Sequence, residues 1–201
     1  MLSFEHISHK FAHHFLFSDI TLQIPESRVL ISGPNGSGKT TLLLIAAGLI
    51  SPSSGKVKFR DQAVSEISVK NQIGISASKV ALPEFFNLVE FLEFHCNQFN
   101  CELDEYWLGE FGLNPFLKTK VKDLSLGNYK KLSLLSAIMH KPALLLLDEP
   151  TNGLDKQARI ALDKLFAEYP GQVIIASHDV LDDAKYFQRH IDLNGEMTTK
   201  A

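Results

Sequence analysis

The sequence contains little cysteine and no excess of charge of either sign. Its two cysteines, Cys96 and Cys101, lie five positions apart with no second pair elsewhere, which is typical of neither a disulfide framework nor a zinc site. We therefore interpret them as reduced packing residues. The net charge of -3 at pH 7 and the pI near 6.2 exclude a general electrostatic attraction to nucleic acid and leave open only a local patch.

Long apolar runs are also missing. No stretch approaches the roughly 18 apolar residues of a membrane span, and the first residues, MLSFEH, lack the basic and then apolar pattern of a secretory signal. We therefore expect a soluble chain in the cytoplasm. With 201 residues, 45% of them hydrophobic, the chain is long enough for one sizeable core, or for one core with a lobe attached.

The strongest motif that is present is a glycine-rich loop at residues 33–40, which reads GPNGSGKT. It fits the phosphate-binding pattern of two fixed glycines followed by Lys and Thr. An apolar run precedes it and another follows, which predicts a strand, the loop and a helix that begins near Lys39. Backbone N–H groups and the positive end of that helix form a cage for an anion. We expect a triphosphate, with Lys39 at its β and γ phosphates and Thr40 as a ligand of Mg2+.

Two carboxylates follow a second apolar run. Residues 143–147 read ALLLL and lead directly into Asp148 and Glu149. Carboxylates at the end of a buried parallel strand are costly unless a metal or a reaction uses them. We expect Asp148 to hold Mg2+ and Glu149 to polarise the water that attacks the γ phosphate. A structural salt bridge is the alternative for either residue.

Three further polar positions stand at predicted helix or strand ends. Ser125 lies where a helix cap is expected, and Gly127 keeps the backbone open at that helix start. Asp155 is either a cap for the helix predicted at 156–169 or a residue that reaches the site of a partner chain. His178 follows an apolar strand, and it is either structural or a sensor of the γ phosphate that fixes the water.

Aromatic residues raise two open questions. Phe11, some twenty residues before the loop, is our first choice for stacking on a purine ring. Phe15 and Phe17 are alternatives, and core packing is equally open for each of them. In the region predicted to be helical, residues 83–141, Phe86 and Phe94 fall outside the helix face that is formed by the regularly spaced apolar residues. Such aromatic surface indicates either a thick core or a docking surface for another protein.

Taken in order, these motifs resemble the nucleotide-binding subunit of ATP-binding cassette (ABC) transporters over nearly the whole chain. Residues 33–40 are similar to the Walker A loop, 124–128 to the signature, 144–149 to Walker B and 152–155 to the D-loop. His178 resembles the switch histidine and Phe11 the aromatic of the A-loop. The resemblance implies an α/β P-loop NTPase fold with a mostly parallel sheet, an antiparallel β subdomain and a helical subdomain. It divides the single domain 1–201 into an ATP-binding core, 1–82 and 142–201, and a helical part, 83–141.

The resemblance also implies partners and a reaction. Such subunits pair head to tail, so that Ser125 and Gly127 of one chain contact the γ phosphate of ATP held by the other. Hydrolysis of ATP then drives transport through separate transmembrane permease subunits, which places the chain on the cytoplasmic face of the inner membrane. Nucleic acid is not an expected partner. The residues implied to bind ATP with Mg2+ are Phe11, Gly33, Pro34, Asn35, Gly36, Ser37, Gly38, Lys39, Thr40, Thr41, Ser125, Gly127 and Asp155, with Asp148 on the metal.

The sequence departs from the family pattern at two places. The signature has Leu126 and Asn128 where the family usually has Gly and Gln, although Ser125 and Gly127 are kept. The Q-loop has Ser78 at the expected Gln position, and the nearest Gln is Gln72, upstream of it. The second departure puts the usual contacts of that Gln to Mg2+ and water in question.

Other functions stay open from the sequence. One is a soluble ABC-type ATPase that acts on nucleic acid or ribosomes, which strong salt-sensitive RNA or DNA binding would favour. Another is a nucleotide-gated structural partner with little turnover, which the changed Q-loop suggests and Glu149 argues against. A small P-loop kinase would need an acceptor site, and the sequence indicates none.

Overall fold

In the computed structural model, residues 1–11, 14–178 and 186–193 are described, except for the side chains of Phe11 and His14. Within these ranges the strands are β1 Leu2–Phe11, β2 His14–Ile24, β3 Arg28–Ser32, β4 Ser54–Phe59, β5 Gln62–Ala63, β6 Ile73–Ser76, β7 Leu144–Asp148, β8 Gln172–Ser177 and β9 Arg189–Asp192. The α-helices are α1 Lys39–Ala46, α2 Ile67–Lys70, α3 Leu88–Phe99, α4 Glu105–Glu110, α5 Leu126–Met139 and α6 Lys156–Glu168, and 3-10 turns lie at Asn114–Phe116 and Val121–Asp123.

The strands form two sheets. The first has the order β2-β1-β4-β5, with antiparallel pairs, and the second has the order β6-β7-β8-β3-β9, with parallel pairs. The carboxyl ends of β3, β7 and β8 therefore meet at one edge, where the phosphate loop and both carboxylates follow. The predicted fold class, a mostly parallel sheet beside an antiparallel β part and helices, is confirmed.

The central strand β7 explains how the layers hold together. Its leucines are all buried, and because successive side chains of a strand point to opposite faces, they divide between two cores. Leu144 and Leu146 pack with α1 and the antiparallel sheet. Leu145 and Leu147 pack with α3 to α6 on the other face. The layers are thus the antiparallel sheet, α1, the parallel sheet and the remaining helices.

Helix α1 is apolar on nearly all sides because it lies between the two sheets. Its residues from Thr41 to Ala46 are buried, as expected for a helix with no solvent face. Helix α5 approaches the parallel sheet closely at Gly74, where a Cβ would lie 1.9 Å from the carbonyl oxygen of Ala137. Ser76 and Ser133 share a buried hydrogen bond of 2.8 Å at the same contact.

The last described strand, β9, pairs in parallel with β3. The region 83–141 is helical only in part, because extended segments and 3-10 turns separate α3, α4 and α5. The division into an ATP-binding core and a helical part at 83–141 stays a prediction.

In the described part of the chain, none of the helices has the length and apolar character that crossing a bilayer requires.

Candidate active site

The phosphate loop connects β3 to α1 as predicted. Gly38 is the N-cap of α1 and has a φ of 96°, a left-handed conformation that glycine adopts without a steric penalty. A side chain there would also collide with Phe17, whose ring lies 2.6 Å from the position of a Cβ. Within the described ranges no side chain caps this helix start, and the first backbone N–H groups of α1 are directed at the loop. This is the arrangement of an anion-binding helix terminus.

Lys39 folds over the loop that precedes it. Its Nζ donates to the carbonyl oxygens of Gly33 at 2.6 Å and Pro34 at 3.1 Å. The residue is buried, so its ammonium group is fixed at the mouth of the loop. A cation in this position balances the charge of a phosphate group held by the backbone amides.

Asp148 meets the phosphate loop at the end of β7. Its Oδ2 accepts hydrogen bonds from Thr40 Oγ1 at 2.8 Å and Ser78 Oγ at 3.4 Å. Its Oδ1 is buried and has no hydrogen-bond partner among the described residues, which leaves a carboxylate oxygen available for a further ligand. Ser78, at the expected Gln position of the Q-loop, therefore contacts the carboxylate through a shorter side chain.

Glu149 has a left-handed backbone conformation with a φ of 46°. Its Oε1 accepts from the backbone N–H of His178 at 2.8 Å and lies 2.8 Å from the His178 Nδ1. Its Oε2 accepts from Ser177 Oγ at 3.1 Å and from Asn152 Nδ2 at 3.5 Å. The carboxylate is thus oriented by groups at the end of β8 and in the loop after β7.

A cavity of about 730 Å³ joins these elements. The predicted residues that line it are Asn35, Gly36, Gly38, Lys39, Thr40, Thr41, Asp148 and Glu149. Its volume lies within the range of about 300–1,000 Å³ that is usual for ligand pockets. The phosphate loop and the carboxylate pair therefore face one space that is large enough for a nucleotide.

Other predicted residues lie around this cavity without lining it. Gly33 and Pro34 contact Lys39, and His178 contacts Glu149, as described above. The side chain of Phe11 lies outside the described part, so its predicted stacking role stays a prediction. Phe17 is a core residue beneath Gly38, and Phe15 is 64% exposed, whereas Leu16 lines the cavity.

Ser125 and Asp155 both act as helix caps. Ser125 Oγ accepts from the backbone N–H of Asn128 at 3.2 Å, and Asp155 Oδ1 accepts from that of Ala158 at 2.9 Å. Asp155 also pairs with Lys131 at 2.5 Å. The hydrogen bonds from Lys131 and from backbone N–H groups lower the pKa of Asp155. The further roles predicted for Ser125, Gly127 and Asp155 at a partner's nucleotide stay predictions.

Lys130 is a functional candidate that sequence reasoning missed. It lines the cavity, and its Nζ donates to the backbone carbonyl of Asp148 at 2.8 Å. Burial lowers the pKa of this lysine, and the Asp148 and Glu149 carboxylates oppose that shift. The sequence does not distinguish Lys130 from the lysine next to it, because only the packing of the helix decides which of the two side chains faces the cavity.

The site can hold a divalent cation with few protein ligands. In the described ranges, no group of three or more His, Cys, Asp or Glu side chains is arranged to bind a metal. The Thr40 hydroxyl and the unpaired Oδ1 of Asp148 are hard oxygen donors. Such a sparse oxygen set suits Mg2+, which keeps most of its waters in nucleotide sites.

Comparison with known proteins agrees with this geometry. Residues 17–152 match a family model described as ABC transporter. The chain is 31% identical to the ABC transporter ATP-binding protein YxlF of Bacillus subtilis (strain 168) over 210 aligned residues, which cover all of this chain and 70% of that protein. It is 32% identical to YhaQ of the same organism over 77% of this chain, and it spans 54% of the length of YhaQ.

A solved structure shares the fold. The dimeric structure of MJ0796, a bacterial ABC transporter cassette, superposes with a TM-score of 0.80 at 22% identity and covers 96% of this chain and 95% of its own. A second dimeric structure of MJ0796, in a post-hydrolysis state bound to ADP and Pi, gives a TM-score of 0.77 at 22% identity, with coverage of 96% and 94%.

Proposed function

The chain belongs to the ABC transporter family, and from this membership we propose that it is an ATP-binding and ATP-hydrolysing subunit that powers transport through separate membrane subunits. The observation that carries the proposal is the 2.8 Å contact between Thr40 Oγ1 and Asp148 Oδ2. It joins the phosphate loop to the carboxylate pair at one cavity. Phosphate binding and water activation, the two requirements of nucleotide hydrolysis, thereby meet at one place.

The residues have distinct roles in this proposal. The loop amides and Lys39 hold the β and γ phosphates of ATP. Thr40 and Asp148 hold Mg2+, which supplies neutralising charge to the phosphates. Glu149 accepts a proton from the attacking water as the bond to the γ phosphorus forms and ADP leaves. His178 orients the Glu149 carboxylate through the contact at 2.8 Å.

The second half of the nucleotide site comes from a second copy of the chain. Ser125 and Gly127 do not line the cavity of their own chain, whereas Leu126 between them lines it and is 81% exposed. We propose that this helix start covers the ATP of a partner subunit, and that two subunits share two nucleotides. The dimeric structures of MJ0796 support this arrangement by analogy.

The membrane partner is proposed to dock on an aromatic surface formed by two residues before α3 and one within it. The rings of Phe85 and Phe86 lie 4.4 Å apart, and those of Phe86 and Phe94 lie 5.4 Å apart. Phe85 is 72% exposed and Phe94 is 44% exposed. Replacing both exposed residues with Asp is expected to release the subunit from membranes while ATP binding persists. Ile160→Asp, at an exposed position on α6, is the matched control, and unchanged membrane recovery of the double variant would refute the docking claim.

The ATPase proposal is tested with Glu149→Gln. We expect the variant to bind Mg2+-ATP as the wild type does and to lose hydrolysis by about 10²- to 10⁴-fold, the usual contribution of a general base. Glu168→Gln, which changes an exposed carboxylate at the end of α6, should hydrolyse normally. Equal hydrolysis in the wild type and Glu149→Gln would remove Glu149 as the base, and a wild type that does not bind Mg2+-ATP would remove the proposal.

A further inference from the structure

The peptide unit between Asp148 and Glu149 is held from both sides. Its N–H, on Glu149, donates to the carbonyl oxygen of Ala176 at 2.8 Å. Its carbonyl, on Asp148, accepts from Lys130 Nζ at 2.8 Å. The last residue pair between β6 and β7 is Ser76 with Leu147, so this carbonyl lies one residue past that ladder. A side-chain ammonium group fixes it there.

The orientation of this peptide decides where the Glu149 carboxylate points. The φ angle of Glu149 is the rotation that follows the peptide directly, and its value of 46° lies in a region that residues with a side chain disfavour. Such a conformation persists only where the surroundings fix it. Here it directs the carboxylate at Ser177 and His178.

Two other lysines, one on α1 and one on α5, have different partners. Lys39 donates to the carbonyls of the phosphate loop, and Lys131 pairs with Asp155. Lys130 is the lysine of α5 that is turned towards the end of β7, and it interacts electrostatically with both carboxylates there. Its hydrogen bond is made to the backbone carbonyl of Asp148.

We propose that Lys130 is a positioning residue for the reaction, which holds the Asp148–Glu149 peptide so that the Glu149 carboxylate faces the attacking water. The inference rests on the proposed function, because it assigns Lys130 to the hydrolysis step. It also links the helix that begins at the signature to the general base of the same chain. Lys130 acts through its hydrogen bond to the backbone.

The test compares Lys130→Met with Lys130→Arg. Met has a similar length and no donor, so kcat should fall by about 10- to 100-fold, as expected when a reacting group is misplaced by about 1 Å. The KM for ATP should change by less than about threefold, because ground-state binding is untouched. Arg restores a donor and should recover most of kcat. Lys122→Met, at an exposed position before α5, is the control and should match the wild type.

Two further readouts separate positioning from a merely structural role. In a Glu149→Gln background, Lys130→Met should cause no additional loss of kcat, because the two residues act as a unit. Hydrogen exchange of the Glu149 amide should be faster in Lys130→Met than in Lys122→Met, with or without nucleotide. An additive loss of kcat, an unchanged exchange rate or a wild-type kcat in Lys130→Met would each overturn the proposal.

A structure of the wild type with a non-hydrolysable ATP analogue and Mg2+ tests the same point if Lys130→Met does not fold. The bond from Nζ to the Asp148 carbonyl should be kept, and a Lys130 that leaves it for the phosphates would overturn the positioning role. Failure of the wild type to bind or hydrolyse ATP would instead overturn the proposed function. Hydrogen exchange of the Glu149 amide can be measured even if the wild type does not bind ATP. A failure of the positioning role and a failure of the proposed function are therefore distinguishable.

Discussion

Two helices of this chain have a glycine at or just inside their start, Gly38 in α1 and Gly127 in α5, and their first turns are built in opposite ways. Helix α1 starts at Gly38 without a side-chain cap and is buried between two sheets. Helix α5 starts at Ser125, whose hydroxyl accepts from the backbone N–H of Asn128 at 3.2 Å, and its first residue, Leu126, is highly exposed. The first helix start points its amides into a cavity of its own chain, whereas at the second Leu126 lines that cavity but Ser125 and Gly127 do not.

The difference supports our proposal that one chain builds half of a nucleotide site around each helix. The start of α1 is completed by Asp148 from the same chain. The start of α5 is instead tied to the loop that follows β7. A Cβ on Gly127 would lie 2.9 Å from the carbonyl oxygen of Gly153, and Lys131 pairs with Asp155. If the start of α5 in one subunit contacts the nucleotide held by the other, that nucleotide would thus be linked to the carboxylates of the subunit that supplies α5.

Lys39→Ala should have the largest effect in this comparison. A hydrogen bond to a charged group contributes about 1.5–3 kcal/mol, so ATP affinity should fall by about 10- to 100-fold in each single subunit. Equilibrium binding of labelled ATP at low protein concentration measures the change. Lys122→Ala is the control, and unchanged affinity of Lys39→Ala would show that the start of α1 is not the phosphate site.

Ser125→Ala should have a smaller effect of another kind. Because the α5 start is expected to contact the partner's nucleotide, ATP binding by a single subunit should be unchanged, while hydrolysis should fall by about tenfold for one lost hydrogen bond to a charged group. Loss of ATP affinity at low protein concentration would mean that Ser125 serves its own chain and would erase the contrast between the two helices.

The capping role of Ser125 is separated from its contact with phosphate by a second substitution. Loss of the cap in Ser125→Ala should lower the free energy of unfolding by about 1 kcal/mol, and Ser125→Gly should lower it by only a few tenths. Both remove the hydroxyl, so both should lose hydrolysis equally. Urea unfolding of the two variants beside their ATPase rates makes the comparison, and hydrolysis that follows stability would leave Ser125 as a cap alone.

The smallest effect concerns the pair of Lys131 and Asp155 behind the α5 start. The lowered pKa of Asp155 means that its ionised form stabilises the fold. This contribution is present at pH values above the usual Asp pKa of 3.8 and is lost as the pH falls through the lowered pKa. Because the Asp155 side chain is 58% exposed, we expect less than about 1 kcal/mol. Lys131→Met should lose part of this acid sensitivity in thermal unfolding between about pH 5 and pH 2, because the backbone N–H bonds to Asp155 remain, and an unchanged pH profile would contradict the assignment.

Local patterns explain why much of the site was predictable. The loop from Gly33 to Thr40 and the pair Asp148 and Glu149 are short continuous segments, and each lies at the end of a buried apolar strand. Such strands are recognised from composition, and parallel pairing brings their carboxyl ends to one edge of the sheet. The caps at Ser125 and Asp155 follow equally from local chemistry.

The missed features depend on contacts between distant segments. Lys130 and Lys131 are neighbours in sequence, and only the packing of α5 decides that one reaches the Asp148 carbonyl and the other reaches Asp155. The aromatic residues after Phe11 were ambiguous because register shifts interrupt the pairing of β1 with β2, so simple alternation does not tell which side chains face the core. The parallel pairing of β9 likewise depends on a strand more than 150 residues away.

The central claim is that the α1 start of one subunit and the α5 start of another enclose one ATP. The most direct measurement is the structure of Glu149→Gln, which is expected to retain ATP, in the presence of Mg2+-ATP. We predict an ATP-dependent dimer in which Ser125 Oγ of one subunit lies at hydrogen-bond distance, about 3 Å, from the γ phosphate held by the other. Nucleotide bound in solitary subunits, with Ser125 far from any phosphate, would contradict the account.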